Sequence, residues 1–200
     1  AARTRVVLTT VGPYALHGSD LVAACVEAGT DYCDLAGEVQ WIRKMVDTHH
    51  KRAQQTGARI VHCCGFDSIP MDMGVFFLQQ EAKKRHGDYC RSISLFVKAT
   101  KGTASGGTIA SMMNIIEEAR ADRSVARILA DPYALNPEGE REGPDQRDQQ
   151  KVVHDKEAAC WTAPFVMAGV NTRVVRRSHA LAGFPYGRDF RYREAVITGK

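Results

Sequence analysis

Arg5-Val6-Val7-Leu8-Thr9-Thr10-Val11-Gly12-Pro13-Tyr14 decides the fold class. The β-branched, nearly continuous apolar run predicts a strand covered on both faces, as in a parallel sheet, and Gly12-Pro13 ends it. Downstream, Ser19 to about Ala28 reads as a helix with Leu21, Val22, Cys25 and Val26 on one side, Ser19 as its cap and Gly29 as its stop. A short strand is expected at Tyr32-Cys33-Asp34-Leu35. It is followed by a helix with Ile42, Met45, Val46 and Ala53 at helical spacing that Gly57 closes. Arg59-Ile60-Val61-His62-Cys63-Cys64 is a third buried-strand candidate. Strand, helix, strand, helix, strand with short connections is the pattern of βαβ units.

The second half changes in pattern. Met71 to about Arg85 predicts a helix, and Gly87-Asp88 marks a domain boundary, giving one domain over 1–87 and another over 88–200. In Ser92-Ile93-Ser94-Leu95-Phe96-Val97-Lys98-Ala99, Ile93, Leu95, Val97 and Ala99 face one way. That alternation suits a sheet with one covered face. Lys101-Gly102-Thr103-Ala104-Ser105-Gly106-Gly107-Thr108 then opens a helix carrying Ile109, Met112, Met113 and Ile116 at i, i+3, i+4 and i+7. Residues 136–151 contain no strongly apolar side chain and read as a solvated excursion or a lid. Core-like character resumes over 161–173, and Ala195-Val196-Ile197-Thr198-Gly199-Lys200 is strand-like. Fold class is therefore α/β: part of a parallel sheet, then a second α/β domain. The abrupt strand-like start and finish lead to the expectation of a piece of a longer protein.

Composition excludes several classes. The 200 residues are 44% hydrophobic and 25% charged, which is globular rather than disordered or collagen-like. No apolar stretch approaches the ~18 residues of a membrane helix. The opening residues leave no room for a signal peptide, so a cytoplasmic location is expected. A net charge of +4 is too balanced to announce a nucleic-acid binder. The six cysteines form no C-x-x-C pair, so no metal site is expected and they read as reduced, buried thiols.

Ligands of parallel sheets sit beyond the carboxyl ends of the strands. Here those ends are Val11-Gly12-Pro13-Tyr14 and Gly65-Phe66-Asp67-Ser68-Ile69-Pro70. Each glycine lacks a Cβ, so a flat ligand can approach the backbone closely. Ser68 or a neighbour can cap the helix that begins near Pro70. Gly and Pro also punctuate ordinary turns, but two such bends at one edge favour a site. Ser105-Gly106-Gly107-Thr108 at a helix start offers N–H groups and hydroxyls to an anion or carbonyl, or else serves as an ordinary cap. Arg173, Arg176, Arg177, Arg188, Arg191 and Arg193 crowd a short interval, either paired with acids such as Asp189 and Glu194 or aimed at an anionic substrate. No G-x-G-x-x-G, P-loop, G-x-S-x-G or H-E-x-x-H occurs. The histidines, among them His62 within a strand, read as structural.

Three blocks resemble the saccharopine dehydrogenase-like oxidoreductases: Val11-Gly12-Pro13-Tyr14, the run from Cys25 through Tyr32-x-Asp34-x-x-Gly37-Glu38, and Cys64-Gly65-Phe66-Asp67-Ser68-Ile69-Pro70-x-Asp72. Ser105-Gly106-Gly107-Thr108 and Ala163-Pro164-Phe165-Val166-Met167-x-x-x-Asn171-Thr172-Arg173 extend the likeness. It is similar in particular to the branch with mycobacterial trans-acting enoyl reductases and an animal saccharopine dehydrogenase-like oxidoreductase. Met71 stands where the family often has serine. The resemblance implies a Rossmann domain followed by a substrate- and dimer-forming domain with a mixed sheet, and NAD or NADP as cofactor. The glycine-rich fingerprint is then expected upstream of Ala1, leaving this stretch inactive by itself. Val11, Gly12, Pro13, Tyr14, Gly65, Phe66, Asp67 and Ser68 are the implied cofactor-binding residues. Ser105, Gly106, Gly107, Thr108, Asn171 and Arg173 are the implied substrate-binding residues, and Tyr14 is the candidate proton donor. Hydride transfer to or from a small-molecule or acyl-lipid substrate follows, with enoyl reduction favoured and association with lipid open. The alternative is a catalytically silent, lipid-associated or scaffolding relative.

Overall fold

A computed structural model describes residues 1–99, 101 and 105–199. In chain order the elements are β1 (Val6–Thr9), α1 (Tyr14–His17), α2 (Ser19–Ala28), β2 (Asp31–Asp34), α3 (Val39–Thr56), β3 (Ile60–Val61) and α4 (Ile69–His86). There follow β4 (Ser92–Val97), α5 (Gly106–Ala121), α6 (Arg123–Ala130), β5 (Val153–Asp155), β6 (Cys160–Pro164), α7 (Ala168–Leu181) and β7 (Arg191–Gly199). The chain divides into two compact units, one comprising 1–66 and 103–129, the other 67–102 and 130–200.

The first unit holds a parallel sheet in the order β1-β2-β3. Helices α2 and α3 form where apolar residues recur at helical spacing. Gly29 and Gly57 end them at φ +65° and +78°, values a side chain tolerates poorly. Gly18, not Ser19, caps α2; Ser19 Oγ instead accepts from Trp41 Nε1 at 3.0 Å. In register, Val7 lies beside Tyr32 and Thr9 beside Asp34, and that face is covered. On the other face Leu8, Cys33 and Val61 align, and Val6 and Leu8 are 53% and 68% exposed. The expectation of β1 covered on both faces therefore fails, because among the described residues packing covers one side only. The third strand is also shorter than the sequence suggests: Cys63 adopts φ +61°, which no strand accommodates. Although α5 follows Gly87-Asp88 in sequence, it belongs to this first unit.

The second unit carries a mixed sheet in the order β4-β7-β6-β5, parallel between β4 and β7 and antiparallel elsewhere. Val75 of α4, Val175 of α7, and Ile93, Phe190 and Tyr192 form its apolar core. Gly87 ends α4 at φ +77°. The segment 136–151 is exposed over much of its length, as its composition suggests, but it is also tied down. Asp148 pairs with Arg173, Asp145 Oδ2 lies 2.6 Å from Arg176 Nε, and Asn136 is buried. Polar composition here reports charge pairing to α7 rather than freedom.

Gln79, fully buried on α4, donates through Nε2 to Cys90 O (2.8 Å) and accepts at Oε1 from Cys90 N–H (2.7 Å), fixing the entry to β4. Leucine there strands both backbone groups. Urea unfolding of Gln79→Leu is expected to show a loss of about 2–3 kcal/mol.

Candidate functional site

The carboxyl edge of the parallel sheet is organised by two buried carboxylates, Asp34 at the end of β2 and Glu38 four residues on. Asp34 Oδ1 accepts from Ala36 N–H (2.9 Å) and Cys63 N–H (3.1 Å), and its Oδ2 lies 2.6 Å from His62 Nδ1. Cys63 Sγ also donates to Ala36 O at 3.0 Å, so several bonds at once hold Cys63 in its left-handed conformation. Cys64 N–H donates to Asp34 O at 2.7 Å, and a Cβ added at Gly65 would come within 3.1 Å of Leu35 Cδ2. The second glycine bend is thus pressed against the end of β2.

Glu38 does the same for the first bend. It accepts from the N–H groups of Tyr14 (2.7 Å) and Ala15 (2.9 Å) at the start of α1 and from Ser111 Oγ of α5 (2.8 Å). These are donors that a helix start leaves unpaired. Tyr14 O–H donates to Thr9 O at 3.1 Å and accepts from Leu35 N–H at 3.2 Å, tying β1 to the turn after β2. A Cβ at Gly12 would lie 3.4 Å from Ser111 Oγ. Gly12–Tyr14 and Gly65–Phe66 therefore flank the end of β2 from its two neighbouring strands. Around this edge Val11 and, at 87% exposure, Phe66 present apolar surface to solvent.

Tyr14 is only 5% exposed, and burial raises its pKa. Donating a proton would require its hydroxyl to leave Thr9 O, so the geometry shown is that of a brace. Ser105 does cap α5, accepting from Thr108 N–H at 3.2 Å, and Ser105, Gly106, Gly107 and Thr108 are all exposed. Ser111 lies further along the same helix, beside Gly12.

In the second unit Ser68 precedes α4, but its side chain does not cap the helix. Its hydroxyl donates to Asn171 Oδ1 (2.9 Å), Asn171 Nδ2 donates to Glu194 Oε2 (3.1 Å), and Tyr192 O–H donates to Glu194 Oε1 (2.8 Å). All four residues are buried. Asn171 thus orients Ser68, and Arg173 is buried against Asp148. Asp67 is exposed. Of the crowded arginines, Arg173 and Arg176 pair with Asp148 and Asp145, Arg188 with Glu140, and Arg193 with Asp155 and Glu157, rather than with Glu194.

Sequence reasoning gave Asp34 and Glu38 no role of their own. The signal was present: an acid closing a short strand and another four residues on, at a sheet edge rich in unpaired N–H groups. Ser111 carries no local signal; only the fold brings it to Glu38.

Similarity to known proteins bears on this edge. A Mycobacterium tuberculosis H37Rv protein, provisionally named a trans-acting enoyl reductase, is 47% identical over 206 residues. The chain resembles mycobacterial trans-acting enoyl reductases. Those of M. leprae and of M. bovis strain BCG are each 42% identical over 207 residues. All of this chain is matched, yet it spans about half the length of these relatives, 49–50%. No family model matches. No solved structure matches either. The trans-acting enoyl reductases are oxidoreductases by name.

Two outcomes are expected. Glu38→Gln keeps one acceptor oxygen but turns an NH₂ toward a former donor, so unfolding experiments should show a loss of about 2–4 kcal/mol, and Ser111→Ala a smaller one. Burial raises the Glu194 pKa. A raised native pKa means stability falls as pH rises from the ordinary carboxylate value to the native one, then stays level. Glu194→Gln should abolish that fall in unfolding curves taken across pH. The network survives because the Asn171 amide can turn over, donating to Ser68 Oγ and accepting from the new amide.

Proposed function

We propose that this chain supplies one wall of a nicotinamide site and that the protein reduces an enoyl group on an acyl substrate, using NADH or NADPH. The observation that carries the reading is the pair of Cβ-free bends flanking the end of β2 at the carboxyl edge of a parallel sheet, where such sheets hold ligands. The relatives' name points to the same chemistry, and saccharopine dehydrogenase-like ancestry is part of the proposal.

The residues present fit a flat ring. The missing Cβ atoms of Gly12 and Gly65 face Ser111 and Leu35, so these glycines let both bends pack closely beside the end of β2, while Val11 and Phe66 offer exposed apolar contact. When bound, the nicotinamide would supply a hydride to the β carbon of the conjugated double bond, and the α carbon would take its proton from water. The chain's part is placement and exclusion of water. Glu38 and Asp34 hold the two bends at fixed spacing, Tyr14 braces the strand ends, and Asp67 and Ser68 continue the second bend toward α4. The Ser105–Thr108 hydroxyls and N–H groups at the start of α5 are assigned to the substrate carbonyl, whose oxygen gains charge as the hydride arrives. Asn171 and Arg173 act at one remove, by orienting Ser68 and by holding segment 136–151.

The test uses this chain extended with the flanking sequence of the mycobacterial relatives. Fluorescence titration should show saturable binding of NADH or NADPH, and an enoyl thioester should drive oxidation of the bound nucleotide. Gly12→Val and Gly65→Val should each weaken nucleotide binding at least tenfold, about 1.4 kcal/mol or more. Absence of saturable binding for both nucleotides overturns the assignment.

A further inference from the structure

A second feature, wholly within the second unit, lies outside that reading. A cavity of about 620 Å³ opens between segment 144–149, β5 and the start of β7, a size suited to a small organic ligand. Its floor includes Tyr192, Glu194 and Arg176, and three exposed cations, Arg147, Lys156 and Arg191, stand around it.

Five acids and five bases line the cavity, so the asymmetry lies in their pairing. Asp145 is held by Arg176, Asp148 by Arg173 from outside the lining, and Asp155 and Glu157 by Arg193. Glu194 accepts from Tyr192 and Asn171, and burial raises its pKa. Arg147, Lys156 and Arg191 are left over, and their side chains make no ion pair or hydrogen bond among the described residues. Unpaired cations that line one concavity attract an anion to it.

We propose that this groove is a binding site for a phosphate group carried by a small molecule. Two guanidinium forks match phosphate oxygens in pairs, and an ammonium adds a point charge that planar carboxylate recognition does not need. The site is independent of the nicotinamide wall, so either assignment can fail without the other.

Calorimetric titration of the protein with inorganic pyrophosphate, at ionic strength held constant with sodium chloride, tests it. Saturable binding is expected, weakened roughly three- to tenfold by each of Arg147→Gln, Lys156→Gln and Arg191→Gln and lost in the triple variant. All three residues are exposed, so the thermal midpoints should stay near that of the parent. Lys51→Gln, an exposed cation on α3, should leave binding unchanged. No saturable heat with the parent protein, or equal affinity in the triple variant, overturns the proposal. So does an equal loss in Lys51→Gln, which would mark the binding as non-specific charge attraction.

Discussion

Everything at the carboxyl edge of the parallel sheet depends on buried carboxylates accepting from backbone N–H groups that the fold leaves over. Where strands end and helices begin, amides lose their ladder and helix partners. A buried amide without an acceptor costs as much as a lost hydrogen bond. Asp34 and Glu38 answer this with two oxygens each, reaching N–H groups on Ala36, Cys63, Tyr14 and Ala15 and the hydroxyl of Ser111. Three other stretches of chain, at 14–15, 62–63 and 111, are thereby indexed to residues 34–38 at the end of β2. The bends that would meet a ligand are positioned by side chains that never need to touch it.

The second unit is held by a different device. Its sheet has a modest apolar core, and a long segment without regular structure crosses beside α7. Arginines on successive turns of α7 receive that segment's aspartates, and Arg176 also donates to Pro132 O (3.0 Å) and Tyr192 O (2.9 Å). The guanidinium fork suits this work, because its several donors can satisfy carboxylate and carbonyl groups together without losing charge.

Much of the fold was legible because it rests on local rules. The spacing of Ile42, Met45 and Ala53 gives α3, and Gly29, Gly57 and Gly87 mark helix ends through their left-handed backbone. The alternation of Ile93 and Leu95 gives β4. What failed was set by tertiary pairing. Ser19 and Ser68 look like helix caps, but Trp41 and Asn171 claim their hydroxyls. The charged stretch 136–151 looks untethered only while Arg173 and Arg176, some thirty residues later, are read separately. Of the site, the two glycine bends could be read from strand endings. Ser111 beside Glu38 could not, being 73 residues away in the chain.

The pairing of Asp148 and Asp145 with buried arginines has a kinetic implication. A loop usually opens residue by residue, but Asp145 and Asp148 hold this one to two buried arginines. Detaching either acid would leave a buried guanidinium short of its partner. The stretch around 145–148 therefore opens as a unit, which slows protease nicking there despite a linker-like composition.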